Sequence, residues 1–69
     1  MLVTVHLLPI RRETKALELR DAATVEELIR TLGLLPDGWI AVSDGEPVPI
    51  DHVLSDGDVV KLVSVVSGG

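Results

Sequence analysis

Apolar residues recur at helical spacing in only one stretch of this chain. Val25, Leu28, Ile29 and Leu32 stand at i, i+3, i+4 and i+7, one face of a short helix. Elsewhere they alternate with polar residues or form short β-branched runs, as strands do. One short helix covers one face of a sheet and leaves the other to solvent. The pattern therefore predicts an α+β fold, a mixed sheet of four to five strands packed on one helix. The 69 residues leave room for a single core, and a chain so short buries only about 60% of the surface it exposes when unfolded.

The helix is bounded at about residues 25–32. Thr24 and Glu27 form a capping box, Glu26 and Glu27 sit where the helix dipole favours anions, and Arg30 lies toward the other end. Gly33 supplies the left-handed residue that closes it. Ahead of it, residues 2–8 read as a strand with Val3, Val5 and Leu7 inward and Thr4 and His6 outward. Pro9 ends that strand, and residues 16–20 return as a second, with Leu17 and Leu19 inward. After a turn at Pro36-Asp37-Gly38, residues 39–43 form a third strand, with Ile40 and Val42 expected inward. Asp44-Gly45 is a type I′ hairpin signal. The return strand holds Pro47 and Pro49, which cannot donate to a ladder, so it is short and lies on an edge. A turn at Ser55-Asp56-Gly57-Asp58 leads to Val59 through Val66, read as the longest strand. Residues 1–66 are thus one domain, and residues 67–69 a flexible tail.

If Val60 and Leu62 face the helix, then Lys61, Val63 and Val65 face away from it. With the first and last strands adjacent at the sheet centre, the open face carries Thr4, His6, Lys61, Val63 and Val65. Exposed neighbouring valines on a small domain mark a contact surface. Val63, Val65, Lys61, His6 and Ser67 are its expected residues.

Composition narrows the function. The net charge of −5 repels phosphate backbones, which argues against nucleic-acid binding and for a partner with a basic component. No apolar run reaches the roughly 18 residues of a membrane span, and Met1 to Leu8 lacks the basic flank and cleavage site of a signal peptide. A cytoplasmic protein is expected. Asn, Gln and Cys are all absent, a depletion known from heat-adapted proteins. Without Cys there is no disulfide, no thiolate metal site and no thiol nucleophile. Asp56-Gly57-Asp58 is turn chemistry rather than a cation loop. His6 and His52 lie far apart in the sequence with no Cys nearby, so neither a metal site nor a catalytic triad is expected. The Glu26-Glu27 pair is helix-cap electrostatics, and Trp39 is read as packing over a sheet edge in preference to anchoring a partner. No internal catalytic constellation emerges.

With these elements in place, the chain resembles the β-grasp, ubiquitin-like family of sulfur carriers and protein modifiers, of the ThiS/MoaD and archaeal small-modifier type. The resemblance rests on the strand–strand–helix–strand–strand–strand order and on the hairpin Val42-Ser43-Asp44-Gly45-Glu46-Pro47-Val48. It rests further on Leu54-Ser55-Asp56-Gly57-Asp58-Val59-Val60 and on the terminal Gly68-Gly69. Terminal Gly-Gly arises by chance in roughly 0.5% of chains, which sets the pair apart from a random end. The aromatic, doubly prolyl stretch that precedes the glycines in small molybdopterin synthase subunits is missing, with Val63-Ser64-Val65 in its place. That departure ranks molybdopterin synthesis behind thiamine synthesis and tRNA thiolation.

The resemblance implies a protein cosubstrate rather than an enzyme. An adenylating enzyme of the ubiquitin-activating type, using ATP and magnesium, converts the Gly69 carboxylate to an acyl-adenylate, and persulfide sulfur then yields a thiocarboxylate. Two glycines suit that role because they form an unbranched thread that a narrow site can admit. With no Cys, the C-terminus is the one place this chain can hold transferable sulfur. The alternative implied by the same resemblance is a modifier joined through Gly69 to lysines of target proteins. The implied partners are the adenylating enzyme and either a sulfur-accepting enzyme or target proteins, and the chain is expected to be a monomer on its own with no bound cofactor.

Overall fold

A computed structural model describes residues 1–8 and 13–65. Strand β1 (Leu2–Leu8) lies antiparallel to β2 (Glu13–Glu18), and helix α1 (Val25–Thr31) follows. A 3₁₀ turn at Pro36–Gly38 leads to β3 (Trp39–Ser43), β4 (Glu46–Val48) and β5 (Val59–Ser64). The five strands run in the order β2-β1-β5-β3-β4, with β1 and β5 parallel and the other pairs antiparallel. Parallel neighbours need a long crossover, and everything between β1 and β5 in sequence supplies it. The first and last strands therefore meet at the sheet centre. This is the expected β-grasp architecture.

The helix forms where its caps dictate. The Glu27 N–H donates to Thr24 Oγ1 at 3.3 Å while Glu27 Oε2 accepts the Thr24 N–H at 3.3 Å. The capping box is complete. Gly33 follows at φ +77°, a backbone angle that costs glycine little. Val25, Leu28 and Ile29 are fully buried against Val3, Val5, Leu7, Val60 and Leu62 of the central strands. Each such side chain contributes on the order of 1.5–3 kcal/mol by leaving water. Leu17, Leu32 and Trp39 pack against this core from its margin, so Trp39 is a packing residue as expected.

Turn chemistry also follows the sequence. Asp44 and Gly45 both have positive φ, 53° and 80°, as a type I′ hairpin requires. Strand β4, with Pro47 at its middle, is the short edge strand.

Three expectations need correction. Ile40 and Val42 do not point inward. Ala41 is the buried residue of β3, lying opposite buried Leu62, while Ile40 and Val42 lie opposite Val63 and Lys61. Residues directly opposite in a ladder share a face, so the register with β5 sends both large side chains outward. Residues 39–42 are all apolar, and alternation could not choose between the two faces. Second, the return strand of the first hairpin is Glu13–Glu18 rather than 16–20, because it pairs with β1 as far as Leu7. Third, β1 with seven residues, not β5 with six, is the longest strand. The remainder of the expected final run, Val66, and the tail residues Ser67, Gly68 and Gly69 lie outside the described residues.

Candidate partner-binding face

The sheet face turned away from the helix is laid out in rows by the strand registers. One row crosses all five strands as Thr14, His6, Lys61, Val42 and Pro47. Beside it runs Leu8–Val63–Ile40, and on the other side Ala16–Thr4–Val59. Ile40 and Val59 are about half exposed, at 48% and 50%, and Val65 stands at 43%. The face is thus a broad aliphatic surface with one lysine at its centre. Apolar side chains gathered this way are the form a protein-binding site takes.

Individual contacts set the chemistry of the face. His6 Nδ1 lies 2.9 Å from Thr14 Oγ1, which ties the imidazole toward the β2 edge. Lys61 behaves differently from the other cations among the described residues. The N-terminal ammonium, Lys15, Arg20 and Arg30 each have a carboxylate within 4 Å, at Asp21, Glu13, Glu27 and Glu26 respectively. Lys61 has none among the described residues. Asp44 lines the same small concavity as Lys61, with Val42 and Val59 as its apolar walls, but stands beyond ion-pair distance. At the end of β5 the Val65 N–H donates to the Gly38 carbonyl at 2.9 Å. This bond carries the sheet pairing one residue past the strand.

The sequence-expected residues His6, Lys61, Val63 and Val65 are therefore brought together on one surface. Ser67, Gly68 and Gly69 lie outside the described residues. Sequence reasoning missed Ile40 and Val42, because only the ladder register reveals which face a uniformly apolar strand segment presents. It also left out Val59, whose outward direction follows from its period-two spacing with Lys61.

The remaining polar groups serve the fold. The Leu2 N–H donates to Asp56 Oδ1 at 2.7 Å and the Ser55 N–H to Asp58 Oδ2 at 2.8 Å, so both carboxylates hold the turn around Gly57. A cleft of about 420 Å³ between the end of β2 and α1 has Leu19 and Ala23 on its floor and Arg20 and Arg30 on its walls. Both guanidiniums are occupied by Glu27 and Glu26. The hydrogen bond from Arg20 holds the Glu27 carboxyl below its ordinary value, with the Thr24 N–H adding to the effect.

Comparison with known proteins settles the family. The model of the family described as small archaeal modifier protein 2 matches residues 1–66. The chain belongs to that family. A relative from Archaeoglobus fulgidus, described as an uncharacterized protein, is 44% identical over 43 residues, a match that spans 62% of this chain and 63% of that one. Among solved structures, the small archaeal modifier SAMP1 from Haloferax volcanii superposes with a TM-score of 0.76 at 21% identity, covering 100% of both chains. A ubiquitin from Caldiarchaeum subterraneum gives 0.78 at 20% identity, covering 100% of this chain and 98% of that one. A chain of the complex between subunits 1 and 2 of the Helicobacter pylori molybdopterin-converting factor gives 0.67 at 23% identity over 100% of both. At these identities the likeness is one of fold. This member of the family thus has the ubiquitin-like β-grasp fold.

Proposed function

We propose that this protein is an acyl donor used by other enzymes, activated at the Gly69 carboxylate. The observation that carries the reading is the terminal Gly68-Gly69 on a chain whose residues 1–66 match the modifier family. A carboxylate is a poor electrophile. An adenylating enzyme joins it to AMP from ATP, releasing pyrophosphate, with magnesium offsetting the repulsion between carboxylate and phosphates. The acyl carbon then has a good leaving group. The open face formed by Val63, Val65, Lys61, His6 and their neighbours is the docking surface, which leads the terminal glycines into the adenylating site. Among the described residues no helix is long and apolar enough to cross a membrane, and the reading places the protein in the cytoplasm.

Two fates follow from one intermediate. In the first, a persulfide sulfur displaces AMP, and a second thiol reduces the resulting acyl disulfide to leave a thiocarboxylate on Gly69. The absence of Cys favours this carrier use, since no side chain competes for the sulfur. In the second, a lysine amine ends up acylated by Gly69 with loss of AMP, which is the modifier use that the family's description favours. Catalytic groups belong to the partners.

Intact mass of the protein isolated from its source cells, with and without a thiol-alkylating reagent, tests both. A species heavier by the sulfur-for-oxygen difference that is alkylated despite the lack of Cys supports the carrier. Gly69 recovered in isopeptide linkage supports the modifier. A chain that forms no AMP adduct in source-cell extract with ATP and magnesium overturns the proposal.

A further inference from the structure

The centre of the open face carries a charge that no carboxylate among the described residues pairs with. Every other described cation is paired with a carboxylate within 4 Å, in a molecule with eleven acidic residues and a net charge of −5. Lys61 alone is left, on the middle strand of the sheet, flanked by His6 and Val42 in its row and by exposed Val59 on its own strand. No described acid lies within ion-pair distance of it. Glu26 and Glu27 are on the helix, Asp56 and Asp58 hold their turn, and Asp44 stands at the rim of the Lys61 concavity.

From this we infer that Lys61 reads a carboxylate on the partner, so that the protein's preferred partner presents an apolar surface with an acidic side chain at its middle. The inference rests on the proposed docking role of the open face and gives that face its specificity. Apolar contact alone discriminates poorly between partners, since many surfaces can cover valine and isoleucine. A cation set between Val42, Val59 and Val63, with no carboxylate within ion-pair distance among the described residues, loses water when the face is covered, and a matching carboxylate on the partner makes up for that loss. A partner with a neutral or basic residue at that point is rejected. The paired cations at the helix and at the β2 edge offer no such discrimination, because each already has its counter-charge.

The test is ATP–pyrophosphate exchange by the purified adenylating enzyme of the source organism, with the full chain as varied substrate. Lys61→Glu is expected to raise KM for the chain by roughly tenfold or more with kcat unchanged, and Lys61→Arg to stay within about threefold of the parent. Added salt is expected to raise KM for the parent but much less for Lys61→Ala. A matched thermal midpoint for each variant excludes misfolding. If Lys61→Glu and Lys61→Ala leave KM unchanged while Val63→Asp raises it, the face docks but does not read charge, and the inference is overturned. If Val63→Asp also leaves KM unchanged, the docking role of the face falls with it.

Discussion

Val63 lies directly opposite Ile40 across the β3–β5 ladder, on the face away from the helix, and one residue earlier Leu62 lies opposite Ala41 on the buried face. Two adjacent residues of one strand thus belong to two opposite faces. Leu62 is fully buried and holds the fold together; Val63 remains partly open to solvent. The sheet is a partition, with the core on the helix side and, on the other, the face proposed to dock a partner.

Ile40→Asp places a charge on the exposed row without disturbing the core. The variant should keep its thermal midpoint to within about 1 kcal/mol of unfolding free energy. Affinity for the adenylating enzyme should fall by roughly tenfold or more, because the charge is desolvated at an apolar contact. Isothermal titration with the purified enzyme checks this, and an unchanged affinity removes Ile40 from the interface.

On the buried side, Leu62→Ala should cost about 2–5 kcal/mol, the lost transfer energy plus the cavity left behind. For a domain this small, that is a large part of the total stability. Urea denaturation followed by circular dichroism measures it. A loss below about 1 kcal/mol contradicts the packing described for β5.

Thr24→Ala removes the hydroxyl that accepts the Glu27 N–H and should destabilise the protein by about 1 kcal/mol. Its effect is expected in the urea midpoint, while the Arg20–Glu27 pair survives.

Glu27 also makes stability depend on pH. Its carboxyl is held below the ordinary value by the hydrogen bond from Arg20, so in acid the unfolded chain takes up the proton first. The stabilisation is present above the ordinary glutamate range and is lost as the pH falls through the lowered value. Glu27→Gln should therefore be less stable than the parent at neutral pH and converge with it in strong acid. Urea midpoints for both proteins across that range test the sign, and a constant difference contradicts it.

Ala22 has φ +64°, in the left-handed region that an alanine enters at a cost of roughly 1–2 kcal/mol. Ala22→Gly relieves it but makes the unfolded chain more flexible. A net gain of roughly 0.5 kcal/mol is expected by thermal denaturation, whereas Gly45→Ala, at φ +80° in the hairpin, should lose stability.

Much of the architecture was legible because local rules and tertiary packing agree. Thr24, Glu27 and Gly33 mark the helix ends through backbone groups that need partners wherever the helix sits. Asp44-Gly45 marks its hairpin because few other residues tolerate two successive positive φ angles. Val60 and Leu62 alternate with Lys61, so their inward direction follows from period two. Ile40, Val42 and Ala22 were not legible. The first two sit in an uninterrupted apolar run, and the left-handed backbone of Ala22 is imposed by the loop around it rather than by its own preference.

Residue order alone settles that one helix must cover one side of a sheet and that the 69 residues contain no thiol. These are properties of composition, periodicity and position, and they survive any arrangement of the strands. That Ile40 and Val42 join the open face, and that Lys61 has no carboxylate partner among the described residues, came only from the tertiary structure. Pairing β5 between β1 and β3 brings together residues more than fifty positions apart, such as His6 and Lys61. A one-residue change in either register would turn Ile40 inward and leave a different surface for the partner.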